Sequence, residues 1–317
     1  MVEDAQIHIA VKIFRFFLCY IILLIYYNDM SSTINFDKVG RPLAKIEGGT
    51  LGGKVVSVAP AEEEGQKRTY KHVELPMGSK FQLVPNTTKE REIIYITGPS
   101  GSGKSTFTSN YIKEFKKKFK GADIYLFSAL SEDEVLDKHG VKRIKLSASL
   151  ISDKLTSADF EDALVIFDDI DVISDKKIRE AVISTMNSIL EVGRHFKTYC
   201  IITNHLSTAG KDTRRVLNEA HEIVYFPHSG SMKGINYLLK EYVGFDNNEI
   251  KAIKRLKTRW CCIFKNYPQL AMTERNLWLL AEDGDSDDER KASSKKSGRG
   301  KKWHEDSSSE GSYSDSD

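Results

Sequence analysis

"GPSGSGKST", residues 98–106, fits the pattern G-x-x-x-x-G-K-[ST] from Gly98 to Ser105 with no mismatch. The pattern has physical meaning only between a strand and a helix, and both are legible beside it. "EIIYIT" (92–97) is a short β-branched run that reads as a buried parallel strand. "STFTSNYIKEFKKKFK" (105–120) sets Phe107, Tyr111, Ile112, Phe115 and Phe119 at helical spacing. In such a turn Gly98, Gly101 and Gly103 allow backbone angles and close approaches that a side chain would block. Pro99, Ser100, Ser102 and Thr106 complete a loop whose N–H groups converge at a helix N-terminus, where the dipole favours anions. Lys104 is expected to reach the β- and γ-phosphates of a bound nucleotide, ATP, and the Ser105 hydroxyl to ligate Mg²⁺.

Further along, "ADIYLFSAL" (122–130) reads as a buried strand and "VKRIKL" (141–146) as a weaker one. In "ALVIFDDID" (163–171) four apolar residues, Leu164 to Phe167, run straight into Asp168 and Asp169. A carboxylate at the end of an apolar strand lies at the C-terminal edge of a parallel sheet, where the ligand crevice opens. Asp168 is therefore assigned to Mg²⁺ through its water shell. Asp169, next to it, is assigned to orient or deprotonate a water. The plainer alternative, an acidic turn capping the next helix, suits Asp171, Ser174 and Asp175 but leaves the strand-terminal pair unexplained. "DKKIREAVISTMNSILEVGRHF" (175–196) is an amphipathic helix. "TYCIITNH" (198–205) is a strand ending in Asn204 and His205, and "HEIVYFP" (221–227) is another. Hydrolytic P-loop motors use a polar residue at such a strand end to sense the γ-phosphate. Asn204 fits that role, with His205 as the alternative and a turn-initiating Asn-His as the bland reading.

The chain has 317 residues, 40% apolar and 29% charged, enough to build a sizeable core. Its net charge of +2 is uneven: residues 281–317 carry 11 acidic and 7 basic side chains, leaving about +6 on the rest. Four cysteines show no paired spacing, and Cys261–Cys262 reads as two alternating strand thiols rather than a metal pattern. "FFLCYIILLIYY" (16–27) is apolar for 12 residues, short of a bilayer span. Counted back to Ile7 it becomes a membrane segment; the other readings are a true start at Met30 and a buried or interfacial helix. Residues 31–90 hold short β-prone runs broken by Gly and Pro. Residues 283–317 alternate acidic, basic and serine-rich blocks, which cannot bury enough apolar surface to fold. The expected organisation is a hydrophobic segment (1–29), a β-rich lead-in (30–90), a P-loop domain (91–282) and a disordered tail (283–317).

The order of glycine loop, "LVIFDDID", a helix ending "EVGRH" and the strand "YCIITNH" resembles the genome-packaging ATPases of large DNA viruses. The poxvirus type belongs to that group, within the FtsK/HerA superfamily of DNA pumps. The resemblance spans roughly residues 90–230. It implies an α/β P-loop NTPase fold of ASCE type, with a mostly parallel central sheet flanked by helices. An extra strand is expected between the P-loop strand and the acidic strand, and residues 122–130 supply one. It also implies hydrolysis of ATP with Mg²⁺, a homo-oligomeric ring and double-stranded DNA as partner. In such rings an arginine of one subunit stabilises charge on its neighbour's γ-phosphate; Arg194, Arg214 and Arg215 are the candidates, the last two in the loop-like "GKDTRR" (210–215). "NEIKAIKRLKTR" (248–259) reads as a helix whose Lys251, Lys254, Arg255, Lys257 and Arg259 would face DNA. Many superfamily members carry Glu where Asp169 stands and Gln at the sensor position. The resemblance places the protein in the virion or the host cytoplasm, with a capsid or membrane partner reached through the N-terminal segment or the tail. Two other classes compete: a nucleotide or small-molecule kinase, which needs an acceptor pocket, and a non-catalytic adaptor whose nucleotide only stabilises the fold.

Overall fold

In the computed structural model, residues 32–280 are described, apart from 62, 90 and 206–209. The hydrophobic segment 1–29 and the charged tail 283–317 lie outside the described residues. No helix among the described residues is long and apolar enough to cross a membrane.

The chain opens with five short strands: β1 (Ser32–Asn35), β2 (Arg41–Glu47), β3 (Val55–Pro60), β4 (His72–Glu74) and β5 (Lys80–Leu83). The alternating section follows as β6 (Ile93–Thr97), α1 (Lys104–Lys118), β7 (Ile124–Ser128), α2 (Glu134–Asp137), β8 (Lys142–Arg143) and α3 (Ser149–Asp153). It continues through β9 (Leu164–Asp168), α4 (Lys176–Val192), β10 (Tyr199–Asn204), α5 (Gly210–Glu219) and β11 (Glu222–Tyr225). Helices α6 (Met232–Leu238) and α7 (Asn247–Lys254) lead to the closing strands β12 (Cys261–Phe264), β13 (Leu270–Thr273) and β14 (Asn276–Leu279).

Strands β6, β9 and β10 are buried at every residue, as expected of apolar runs in a sheet covered on both faces. They form the centre of a ten-stranded sheet ordered β4-β14-β13-β12-β11-β6-β10-β9-β7-β8. Pairing is parallel from β11 through β8 and antiparallel from β12 outward. The strand between the P-loop strand and the acidic strand is thus β10, not the 122–130 segment, whose β7 lies on the far side of β9. Chain order does not fix sheet order here. The insertion matters because its register sets Thr203 beside Asp168 and Asn204 beside Thr97.

Period-two alternation sorts the strand residues into two cores. One lies under α4 to α7 and includes Tyr95, Phe167, Ile202, Met186 and Ile189. The other lies under α1 and includes Ile94, Ile96, Phe107, Tyr111 and Phe115. Cys261 and Cys262 go one to each core, as alternating strand thiols should. The second core also takes Ile34, Ile46, Val58 and Phe81 from the antiparallel sheet β1-β3-β2-β5. The β-rich lead-in is therefore not a separate body. It shares a core with the ATPase sheet, and its strand β4 pairs with β14 at that sheet's edge.

Two elements differ from the sequence reading. "GKDTRR" lies in helix α5, not in a loop. Its apolar face supplies Val216 and Leu217 to the core, a burial that outweighs the Gly and Asp at its start. The helix read over 248–259 stops at Lys254. A capping box of Asp246 and Glu249 starts it, and its buried residues end with Ile250 and Ile253. Beyond Arg255 the Thr258 hydroxyl donates to the Trp260 carbonyl (2.9 Å), and the chain turns into β12. Lys257 and Arg259 therefore sit in a connection, not on a helix face.

Candidate active site

Helix α1 begins in an electrostatically unusual way. Its N-cap is Gly103, at φ +113° with no side-chain cap, and its first turn holds no acid. The first helical residue is a lysine, opposed by the helix dipole unless an anion shares the site. Uncapped first-turn N–H groups next to a buried cation make a cradle for phosphate. Glycine is required at Gly98: a Cβ there would stand 2.6 Å from Ser102 Oγ and 2.8 Å from the Phe226 ring. Ser102 Oγ itself is buried with no hydrogen-bond partner among the described residues. The donor set thus fits a polyphosphate.

Lys104 is only 6% exposed. Its Nζ donates to the Gly98 carbonyl at 3.0 Å and lies 3.4 Å from Asp169 Oδ2. It lines a cavity of about 450 Å³ together with Pro99, Ser100, Gly101, Gly103, Ser105 and Thr106, so the loop residues read from the sequence converge on one space. Ser128, Asp168, Asp169, His205 and Arg259 close the other sides.

The two acids differ in environment. Asp168 ends β9 and is buried. Thr203 Oγ1 donates to its Oδ1 at 2.8 Å and Ser128 Oγ to its Oδ2 at 3.2 Å. Burial raises its pKa, and the neighbouring Asp169 charge adds to the rise, against the hydrogen bonds that lower it. Asp169 has left the strand for the left-handed region at φ +44°. Its N–H is fixed by the Thr203 carbonyl (3.2 Å) and hydroxyl (3.1 Å). Its Oδ2 lies 3.2 Å from His205 Nε2 and 3.4 Å from Lys104 Nζ. A non-glycine residue held in that region stores strain, and such residues gather at functional sites. Asp169, Asp171 and His205 also bring three ligand atoms within 4.8 Å of one another. The Lys104 ammonium beside Asp169 opposes a cation there, so Asp168 and Ser105 remain the better metal ligands.

Strand parity separates the two sensor candidates. Thr203 faces the acids, so Asn204 faces the opposite way, and its Nδ2 lies 3.4 Å from the Tyr95 hydroxyl. It lines a different cavity of about 280 Å³ with Asp171, Arg179 and Thr213. His205 returns to the phosphate side. Sequence reading found the strand end but missed Thr203 and Ser128. The signal was there: Thr203 shares parity with His205, and Ser128 ends the strand next to the acidic one.

The arginines are dispersed. Arg194 is exposed in the turn after α4, Arg214 is exposed on α5, and Arg215 pairs with Glu191 at 2.8 Å. None of the three lines the phosphate cavity of its own chain. Lys251, Arg255 and Lys257 are exposed and Lys254 is half-buried. Arg259 does not belong with them as a DNA contact, because it lines the phosphate cavity.

The family model "ATPase family associated with various cellular activities (AAA)" matches residues 94–228, from the P-loop strand to just past β11. "Uncharacterized protein V3" of Sputnik virophage is 41% identical over 253 residues, which cover 79% of this chain and all of that protein. The chain belongs to the family of that virophage protein. It is a P-loop ATPase. Among solved structures, it is similar to the genome packaging NTPase B204 from Sulfolobus turreted icosahedral virus 2 in complex with AMP. That likeness has 18% identity and a TM-score of 0.42, covering 59% of this chain and 98% of that one. The conjugation coupling protein TcpA of pCW3 is 13% identical with a TM-score of 0.40, over 76% of this chain and 78% of that one. Structural likeness at these scores does not extend to function.

Proposed function

We propose that this ATPase is a motor that translocates double-stranded viral DNA in genome packaging, working with Mg²⁺ in a homo-oligomeric ring in the virion or host cytoplasm. The sequence resemblance to packaging ATPases supports the reading. The geometric observation that carries it is the convergence of Asp169, His205 and the Thr203-fixed Asp168 beside Lys104. That set is suited to water as the phosphate acceptor. Lys104 and the α1 N–H groups hold the phosphates. Asp168 and the Ser105 hydroxyl are placed to hold Mg²⁺, which when bound neutralises charge on the phosphate oxygens. Asp169 orients the attacking water and takes its proton, while His205 and the Thr203 backbone keep the carboxylate in place.

The ring reading has its own support. Leu130 (59% exposed) and Val172 (53% exposed) both stand at the cavity rim. Large apolar side chains left in water beside a site fit cover by a second copy of the chain. A subunit so placed could bring Arg194, Arg214 or Arg215 to its neighbour's phosphates.

The test is ATP turnover with and without duplex DNA across a salt series. Stimulation by DNA, with DNA affinity falling steeply as salt rises, is the expected result, because phosphate contacts release counterions. Transfer of phosphate to a nucleoside monophosphate, with no DNA stimulation at any salt, would give the case to the kinase alternative.

A further inference from the structure

Arg259 is out of place among the basic residues around it. The loop that carries it is tied to the phosphate-binding end of α1 rather than to the exposed side of α7. Its N–H donates to Glu274 Oε2 at 3.0 Å, and the Glu274 N–H meets the Thr258 hydroxyl at 3.3 Å. The next residue, Trp260, packs edge-on against Phe107 with ring centroids 5.2 Å apart. Phe107 is the fourth residue of α1, and Lys104 and Ser105 stand on the same first turn. The backbone of Arg259 is thus fixed against the helix whose N-terminus forms the cradle.

The side chain is left without a structural task. Other arginines have one: Arg143 pairs with Asp137, Arg215 with Glu191, Arg91 donates to the last carbonyls of α4, and Arg275 donates to the Leu75 carbonyl. The Arg259 guanidinium makes no ion pair among the described residues, although it shares a cavity with Asp133, Asp168 and Asp169. The only other full cation lining that cavity is Lys104, already bound to Gly98 and Asp169. A polyphosphate carries more negative charge than one lysine answers, and a guanidinium offers a planar fork of donors suited to phosphate oxygens.

We propose that Arg259 is a nucleotide-binding residue of its own subunit, holding the phosphate chain as the second cation beside Lys104. The assignment rests on the P-loop ATPase reading and is independent of DNA translocation. It also explains why the segment stops being helical at Lys254: a continued helix would carry residue 259 on past the pocket, whereas the turn at Thr258 brings it back to α1.

The experiment is competition of a fluorescent ATP analogue by ATP, by ADP and by inorganic tripolyphosphate, on the full chain. Wild type, Arg259→Ala, Arg259→Lys and Lys104→Ala are compared. Losing a charge-assisted bidentate contact weakens binding by about 10- to 100-fold. Arg259→Ala should show that loss for ATP and equally for tripolyphosphate, with thermal unfolding unchanged because the side chain is exposed. Arg259→Lys should recover part of it. A loss for ADP as well places the contact on the inner phosphates, and a loss confined to ATP and tripolyphosphate places it on the outer one. Unchanged tripolyphosphate binding in Arg259→Ala overturns the proposal, and if ATP alone weakens, the contact is to the base or sugar. Unchanged nucleotide binding with lost DNA stimulation also overturns it and returns Arg259 to the DNA set. Lys104→Ala is the control for the site itself: undiminished binding there would remove the P-loop reading, not this residue's role within it.

Discussion

At the scale of single residues, the adjacent Asp168 and Asp169 divide their work by environment. Asp168 is buried beneath two hydroxyl donors, whereas Asp169 is partly exposed between Lys104 and His205. Asp168→Asn should therefore weaken Mg²⁺-dependent ATP binding. Asp169→Asn should keep binding and lose turnover by about 10²–10⁴-fold, the usual worth of a general base. Equal binding defects in the two variants would refute this division. The raised pKa of Asp168 adds a pH signature. Because the folded state holds this proton more tightly than the unfolded chain, the site costs stability once pH rises above the folded pKa. That cost disappears as pH falls below the unfolded value of about 4. Asp168→Asn should thus melt higher than wild type at neutral pH, and the gap should close in acid. Mg²⁺-dependent binding by wild type should begin to weaken above the ordinary carboxylate range, since proton and metal compete for one group. Melting curves and nucleotide titrations across pH check both.

At the scale of elements, what the sequence made legible were the segments whose local signal agrees with their tertiary place. β6, α1, β9 and β10 each carry an unbroken apolar run or a clean helical period, and each lies within two residues or so of its expected bounds, apart from the far end of α4. α5 was illegible because its Gly-Lys-Asp start reads as a turn, and only the core contacts of Val216 and Leu217 make it helical. The end of α7 was illegible for the opposite reason: basic residues continue past Lys254 in a helix-friendly run, and a side-chain bond from Thr258 stops it. The position of β10 between β6 and β9 is a pairing fact that no single segment encodes. Parity along β10 then decides which residue meets the phosphates, which is why Thr203 and His205 take part and Asn204 turns away. The basic residues that remain on α7 and its connection give this scale its prediction. Neutralising Lys254, Arg255 and Lys257 together should lower DNA-stimulated hydrolysis and flatten its salt dependence while sparing basal turnover. A fall in basal turnover of the same size would show that the segment supports the fold or the nucleotide site instead.

At the scale of the molecule, the antiparallel lead-in sheet and the ATPase sheet are joined by a buried polar group as well as by their shared core. Arg41 of β2 donates to the Pro268 carbonyl at 3.2 Å, and its guanidinium lies 5.6 Å from the centre of the Phe264 ring. Its charge answers Glu92 and Glu222, at the starts of β6 and β11, and burial lowers its own pKa. Glu92 accepts a hydrogen bond from the Tyr111 hydroxyl at 2.6 Å. Burial holds Glu222 protonated well above the usual carboxylate range, with the charge of Glu92 adding to the rise. Breaking one side of a buried charged group leaves the other uncompensated. Arg41→Met should therefore cost about 3 kcal/mol in urea unfolding, whereas Glu222→Gln, which replaces a neutral acid by a neutral amide, should cost less than about 1 kcal/mol. Similar losses in the two variants, or a lead-in sheet that melts separately, would show that Arg41 is not the link. None of this network was readable in the sequence, because its members come from the lead-in, the P-loop strand and β11, far apart in the chain.

The central claim, that hydrolysis at Lys104, Asp168 and Asp169 moves DNA, is tested most directly by displacement of a triplex-forming oligonucleotide from a linear duplex. The unmodified protein with ATP and Mg²⁺ should strip the third strand. Lys104→Ala and Asp169→Asn should not, nor should the unmodified protein with a non-hydrolysable ATP analogue. ATP hydrolysis by the unmodified protein on that same duplex, with the third strand left in place, would contradict the account.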